Sequence, residues 1–121
     1  MKNATQYNLD DAVPVPYELD PETVLEGDPK QAVVVLSRSE DGTTVSGIFT
    51  STPGTVRVPQ AGDEWTVVRK GRLRVTSEDG SVVDCGPGQM MMLKRDTSAT
   101  FEVLEELEDY FVIHHPDGVE L

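Results

Sequence analysis

Gln60 and Glu64 carry oxygen atoms four residues apart in VPQAGDEWTVVRKGRLRV, residues 58–75. Glu64 follows Asp63 and precedes the chain's only tryptophan, Trp65, where a strand pattern begins. A carboxylate there has two chemical uses. It can ligate a cation, or, once desolvated, act as an acid or base with a raised pKa. Its bland use is as a hydrated group at a strand start. Val58 and Gln60 fall on one strand face by the period of two. His114 and His115, the only histidines, are adjacent and point to opposite faces, so at most one joins such a site.

The remaining reactive residues are weaker candidates. Arg57, Arg69, Lys70, Arg72 and Arg74 form the main basic cluster. Arg72 and Arg74 share a face opposite Leu73 and Val75, which fits a solvated face with cross-strand ion pairs. The alternative is an anion-binding or subunit-contact patch, and Arg57 is also counted among the candidate ligand-binding residues. Met90, Met91 and Met92 face both sides of their strand. One packs in the core, and Met91 is assigned to an apolar pocket. Cys85 has no cysteine partner and is read as a structural thiol. No GxSxG nucleophile motif occurs, and GPG at 86–88 lacks the following helix of a phosphate loop.

Short strands position these groups. Apolar or alternating runs at 32–37, 43–50, 55–60, 64–68, 72–76, 81–85, 89–93, 99–104 and 110–115 are separated by turn signals such as SEDG, TPG and GPG. Residues 69–71 read as a tight turn; LEELED at 104–109 is the one plausible helical piece, but its alternating apolar flanks favour a turn there too. Asp79-Gly80 is a hairpin signal. Eight or nine strands at this spacing predict a sandwich or barrel. Residues 1–30 carry Pro14, Pro16, Pro21 and Pro29, which rule out a long helix, so they read as an extended arm. Val13, Val15, Tyr17 and Leu19 alternate, as a segment laid on a sheet edge or on a second subunit would; the other reading is a loosely ordered tail. The expected division is an arm at 1–30 and one domain at 31–121.

The 121 residues carry a net charge of −12, which repels nucleic acid and anionic membranes. The N-terminal MKNATQYNLDD has no apolar stretch of a signal peptide. With one cysteine, the expected location is the cytoplasm.

The order of turns resembles a cupin: Gly71, then DG, then GPG, then QMMML and TFEV. It is most similar to the small single-domain RmlC-like cupins grouped with the ureidoglycine aminohydrolase and ethanolamine-utilisation cupin domains. The resemblance implies an all-β double-stranded β-helix, a jelly-roll barrel, here with an extended N-terminal arm. The family's first motif, anchored on Gly71, puts its glutamate on Glu64 and its two histidines on Val58 and Gln60. The second motif, anchored on Gly88, puts its proline, glycine and histidine on Lys94, Asp96 and Ala99. Only Glu64 keeps a metal ligand of the set.

The resemblance and these residues lead to a small-molecule-binding module with a degenerate metal site. The ligand would be held by Val58, Arg57, Gln60, Glu64, Met91 and Ala99. No cofactor is expected, and a divalent metal would be held only weakly, by Glu64 and Gln60. The second reading is an enzyme on a small nitrogenous or carboxylic metabolite, with Glu64 as catalytic group. The third is a structural or regulatory subunit with an empty barrel. A homodimer is expected, with the arm as a cover for a sheet edge.

Overall fold

The turn residues and β-branched runs produce nine strands among the described residues. The structure, a computed structural model, describes residues 3–121, so the first two residues of the expected arm lie outside it. The strands are β1 (Val15–Tyr17), β2 (Val24–Glu26), β3 (Gln31–Arg38), β4 (Thr44–Ser51), β5 (Gly54–Pro59), β6 (Asp63–Ser77), β7 (Val82–Cys85), β8 (Met90–Leu93) and β9 (Ser98–His114). Two single-turn 3₁₀ helices, Leu9–Asp11 and Pro21–Thr23, interrupt the arm.

All pairings are antiparallel, and β6 with β9 forms the spine. One end of β9 (Ser51↔Leu107 to Thr44↔His114) pairs β4, which continues to β3 and β1. The other end (Gly54↔Val103 to Pro59↔Ser98) pairs β5, which continues to β2. The far edge of β6 takes β8 near Glu64–Val67 and β7 near Leu73–Thr76. The sheet therefore curls on itself around one interior, the jelly-roll architecture of a cupin.

Two expected turns are strand instead. β6 runs through 69–71 with register shifts between Val68 and Leu73, and β9 runs through 104–109. These bulges change which residues face inward. Along β6 the inward side chains are Thr66 and Val68 before the shift and Leu73 and Val75 after it. Gly71 enables the close approach: its φ is +84°, and a Cβ would run into the Glu106 carbonyl oxygen. The expected hairpin at Asp79-Gly80 is present. Gly80 N–H donates to Ser77 O at 2.9 Å, and Asp79 Oδ1 accepts from Ser81 N at 2.9 Å.

The arm is partly built into the sheet. Tyr17 pairs with Gln31 and Val15 with Val33, so β1 covers the free edge of β3. The interior is filled by Val56, Val68, Leu73, Val75, Cys85, Met91, Leu93, Phe101, Val103 and Leu107, drawn from both ends of the spine. Burial holds the Cys85 thiol above its usual pKa, as for an inert structural cysteine. Trp65 points outward and is 38% exposed.

Candidate functional site

Where β4, β5, β6 and β9 converge, the interior is not filled. A cavity of about 330 Å³ remains, at the small end of the ~300–1,000 Å³ typical of ligand pockets. Its walls are apolar: Val33, Phe49, Val58, Phe101, Phe111 and Ile113. Exposed Tyr17, Pro59, Ala61 and Leu121 form the rim. Space for the Phe111 ring depends on Gly47, whose Cβ would sit 2.8 Å from it.

Four polar side chains enter this apolar space: Tyr17, Gln60, Glu64 and Asp109. Asp109 comes from the inward series of β9, Leu107–Asp109–Phe111–Ile113. Its row across the sheet is Val15–Val33–Phe49–Asp109–Val68, so every strand neighbour in that row is apolar. It is 4% exposed. Burial, and then the negative charges of Glu64 and Glu108, hold its carboxyl well above the usual carboxylate range.

Glu64, inward on β6 across from Ile113, is partly buried and accepts a hydrogen bond from Thr66 Oγ1 at 2.6 Å. Burial raises its pKa, and the Thr66 bond opposes the rise. Gln60 follows β5 and is anchored by its backbone N–H to Thr97 O at 2.9 Å. The residue is 9% exposed, and neither the amide oxygen nor the amide nitrogen of its side chain has a partner among the described residues.

Tyr17 donates to Gln31 Oε1 at 2.6 Å, and Gln31 Nε2 lies 3.3 Å from Ser51 Oγ. Burial and the nearby Asp109 push its pKa up to about 12. Although Tyr17 is 41% exposed as a residue, its hydroxyl is committed inward to this chain of bonds.

Of the residues singled out in the sequence, Val58, Gln60 and Glu64 line the cavity together. Arg57, Met91 and Ala99 do not. Arg57 lies on the opposite face of β5 and is exposed. Met91 and Ala99 point inward but are packed in the filled core at 3% exposure each. Asp109 and Tyr17 join the site from outside that set. Reading the period of two through 104–109, rather than stopping it there, aligns Asp109 with Phe101, Val103, Leu107 and Phe111.

The donor set does not fit a tight transition-metal centre. Val58 and Ala99 offer no lone pair, and such a site needs about three strong ligands. Neither histidine lines the cavity. His114 Nδ1 meets Thr44 Oγ1 at 3.0 Å, and His115 Nδ1 accepts from Asp117 N at 3.0 Å. Among the described residues no group of three His, Cys, Asp or Glu side chains is arranged to hold a metal ion. Nor is any helix there long and apolar enough to cross a membrane.

Solved structures share this architecture at low identity. An ethanolamine utilization protein Q from Salmonella typhimurium is 20% identical, with a TM-score of 0.63 over 70% of this chain and 69% of that one. A protein of unknown function from Pseudomonas syringae, of the DUF861 family, is 18% identical with a TM-score of 0.75, over 85% of this chain and 45% of that one. The Cnp3 cupin domain of Schizosaccharomyces pombe is 10% identical, with a TM-score of 0.67 over 91% and 74%. No protein of curated function matches the chain. The family model of the EutQ-like cupin domain matches residues 38–110, which hold most of the spine and the cavity residues Val58, Gln60, Glu64 and Asp109. With more than half its length inside that match, the chain belongs to the EutQ-like cupins.

Proposed function

We propose that this chain is a small-molecule-binding cupin module whose ancestral metal set has degenerated. The observation that carries the reading is the Gln60 side chain. Both of its polar atoms are buried at the cavity without a partner. Leaving a buried polar group unmade costs ~1–3 kcal/mol, and a ligand that completes the amide's bonds recovers it. The apolar walls supply the rest of the affinity.

The test is a thermal-shift screen of small metabolites on the whole chain. A ligand present at 100 times its Kd adds about 2.7 kcal/mol of stability. Gln60→Leu should stay folded and lose that response. A panel without any stabilising compound, or an unchanged response in Gln60→Leu, would overturn the reading.

One observation favours a second reading, the enzyme on a small nitrogenous or carboxylic metabolite. Glu64 and Asp109 share the cavity with raised pKa values, a pattern suited to acid–base work. Turnover lost in both Glu64→Gln and Asp109→Asn, with binding kept, would select it. The third, a structural or regulatory subunit with an empty barrel, is left if the screen is silent. We further propose a homodimer in the cytoplasm. The single cysteine supports the compartment, and the outward Trp65, Met90 and Met92 support an apolar contact between copies.

A further inference from the structure

We infer that the cavity selects a small organic cation, a protonated amine on a compact apolar body, held between Glu64 and Asp109 with the Gln60 amide as its hydrogen-bonding partner. This rests on the reading of the cavity as a ligand site and narrows it to one charge class.

The charge inventory carries the inference. Two carboxyls line the cavity, and no Lys, Arg or His does so among the described residues. Asp109 makes no side-chain hydrogen bond or ion pair with the described residues, although only 4% of it is exposed. The chain does not lack arginines nearby. Arg69 pairs with Glu108, the residue next to Asp109, at 3.3 Å on the opposite face of the spine. The strand alternation thus gives the outward acid a cation and leaves the inward acid without one.

Gln60 is an independent second sign. Its amide is nine-tenths buried, unpartnered, and lines the same space. Its oxygen accepts from an ammonium N–H, a donor that the cavity itself does not supply to it. The rings of Phe49, Phe101 and Phe111 in the wall suit a cation with an apolar body. An anion meets two acids and a chain of net charge −12. A bare divalent ion needs about six to eight oxygens, whereas here two carboxyls and one amide stand in an apolar wall.

Without ligand, two acids in one apolar space oppose each other's ionisation, which favours a proton held on the pair. The arriving ammonium replaces that proton: the carboxyl O–H gives its proton to buffer, and an ion pair forms in its place. Binding therefore releases protons and strengthens as pH rises, while the amine stays protonated.

The experiment is calorimetric titration of the whole chain with three probes of matched shape: benzylamine, benzyl alcohol and benzoate. Benzylamine should bind about tenfold or more tighter than benzyl alcohol, as expected for a charge-assisted bond, and benzoate should not bind. Its affinity should fall as pH is lowered from about 8 to about 5, with proton release visible between buffers of different ionisation heat. Asp109→Asn should lose about tenfold in benzylamine affinity and leave benzyl alcohol within about threefold. Glu64→Gln is the second variant, so the test survives a folding failure in either.

Equal binding of benzyl alcohol, or tighter binding of benzoate, overturns the cation inference and leaves the binding module standing. Displacement of benzylamine by calcium or magnesium at equal concentration also overturns it. If none of the three probes binds, the cation inference falls; the binding module falls with it only if the wider metabolite screen is silent as well.

Discussion

On the outer face of the β6–β9 spine, Arg74 stands between two acids: Asp84 on β7 at 3.1 Å and Glu102 on β9 at 3.3 Å. Arg72 Nε adds a second cation 2.8 Å from Asp84 Oδ1, placed by charge rather than by an aligned hydrogen bond. On the inner face, Glu64 and Asp109 share a cavity that no cationic side chain lines among the described residues. The residues concerned are chain neighbours. Leu73 is 0% exposed and Arg74 is exposed; Glu108 meets Arg69 and Asp109 meets Phe49. The contrast is one of pairing: the outer acids stand beside cations, whereas the inner acids have no cationic side chain beside them among the described residues, which is the ground for the proposed ligand.

The largest effect should come from the apolar inner face. Leu73→Ala removes a fully buried side chain from the filled core, where such truncations cost ~2–5 kcal/mol. Urea unfolding should show the midpoint falling with an unchanged slope. A loss below about 1 kcal/mol would mean that this end of the barrel is loosely packed, and the contrast with the cavity end would disappear.

The next effect has the opposite sign. The folded pKa values of Asp109 and Glu64 are raised, so the folded state holds protons that the unfolded chain releases near pH 4. Their contribution is least unfavourable at low pH. It worsens as pH rises from the unfolded value through the folded one, and levels off above that. Asp109→Asn should therefore stabilise the ligand-free protein at pH 7, by roughly 1–3 kcal/mol for relief of a buried unpaired group. The gain should shrink toward pH 4. Stability curves of the two proteins from pH 4 to 8 check it as a difference, which cancels the outward acids such as Asp41, whose serine and threonine bonds lower its pKa to about 2. A variant less stable than the parent at pH 7 would show that Asp109 has a partner.

How much of this was legible in the sequence follows from what is local. Turn residues are local, so a sandwich or barrel of short strands and the hairpin at Asp79-Gly80 can be read directly, and the cupin resemblance narrows the barrel to a jelly roll. Bulges are not local. Gly71 and the glutamates at 105 and 106 look like turn chemistry, but the pairing of β6 with β9 carries both segments through as strand. Reading 104–109 as a turn conceals Asp109, because a residue in a turn has no inward face. Tyr17 was visible in an alternating arm, yet its place at the rim depends on pairing with Gln31, fourteen residues away. Gln60 and Glu64 were found because the cupin spacing points at them. Arg57 is one residue from Val58, which on a strand means the opposite face.

The smallest effect belongs to the outer face. Arg74, Asp84 and Glu102 keep side-chain exposures of 45%, 31% and 35%, so water and salt compete with each pair. Exposed ion pairs contribute ~0.2–1 kcal/mol, and Arg74→Ala should cost about that much. The cost should shrink when salt is raised from about 0.05 M to about 0.5 M, because the screening length then falls to a few ångströms. Benzylamine affinity should be unchanged, since Arg74 and the cavity lie on opposite faces of the spine. A salt-independent loss above about 2 kcal/mol would place Arg74 among buried pairs, where removing one partner strands the other charge. In that case both faces of the spine would carry desolvated acids, and the scarcity of cations inside the cavity would no longer set it apart.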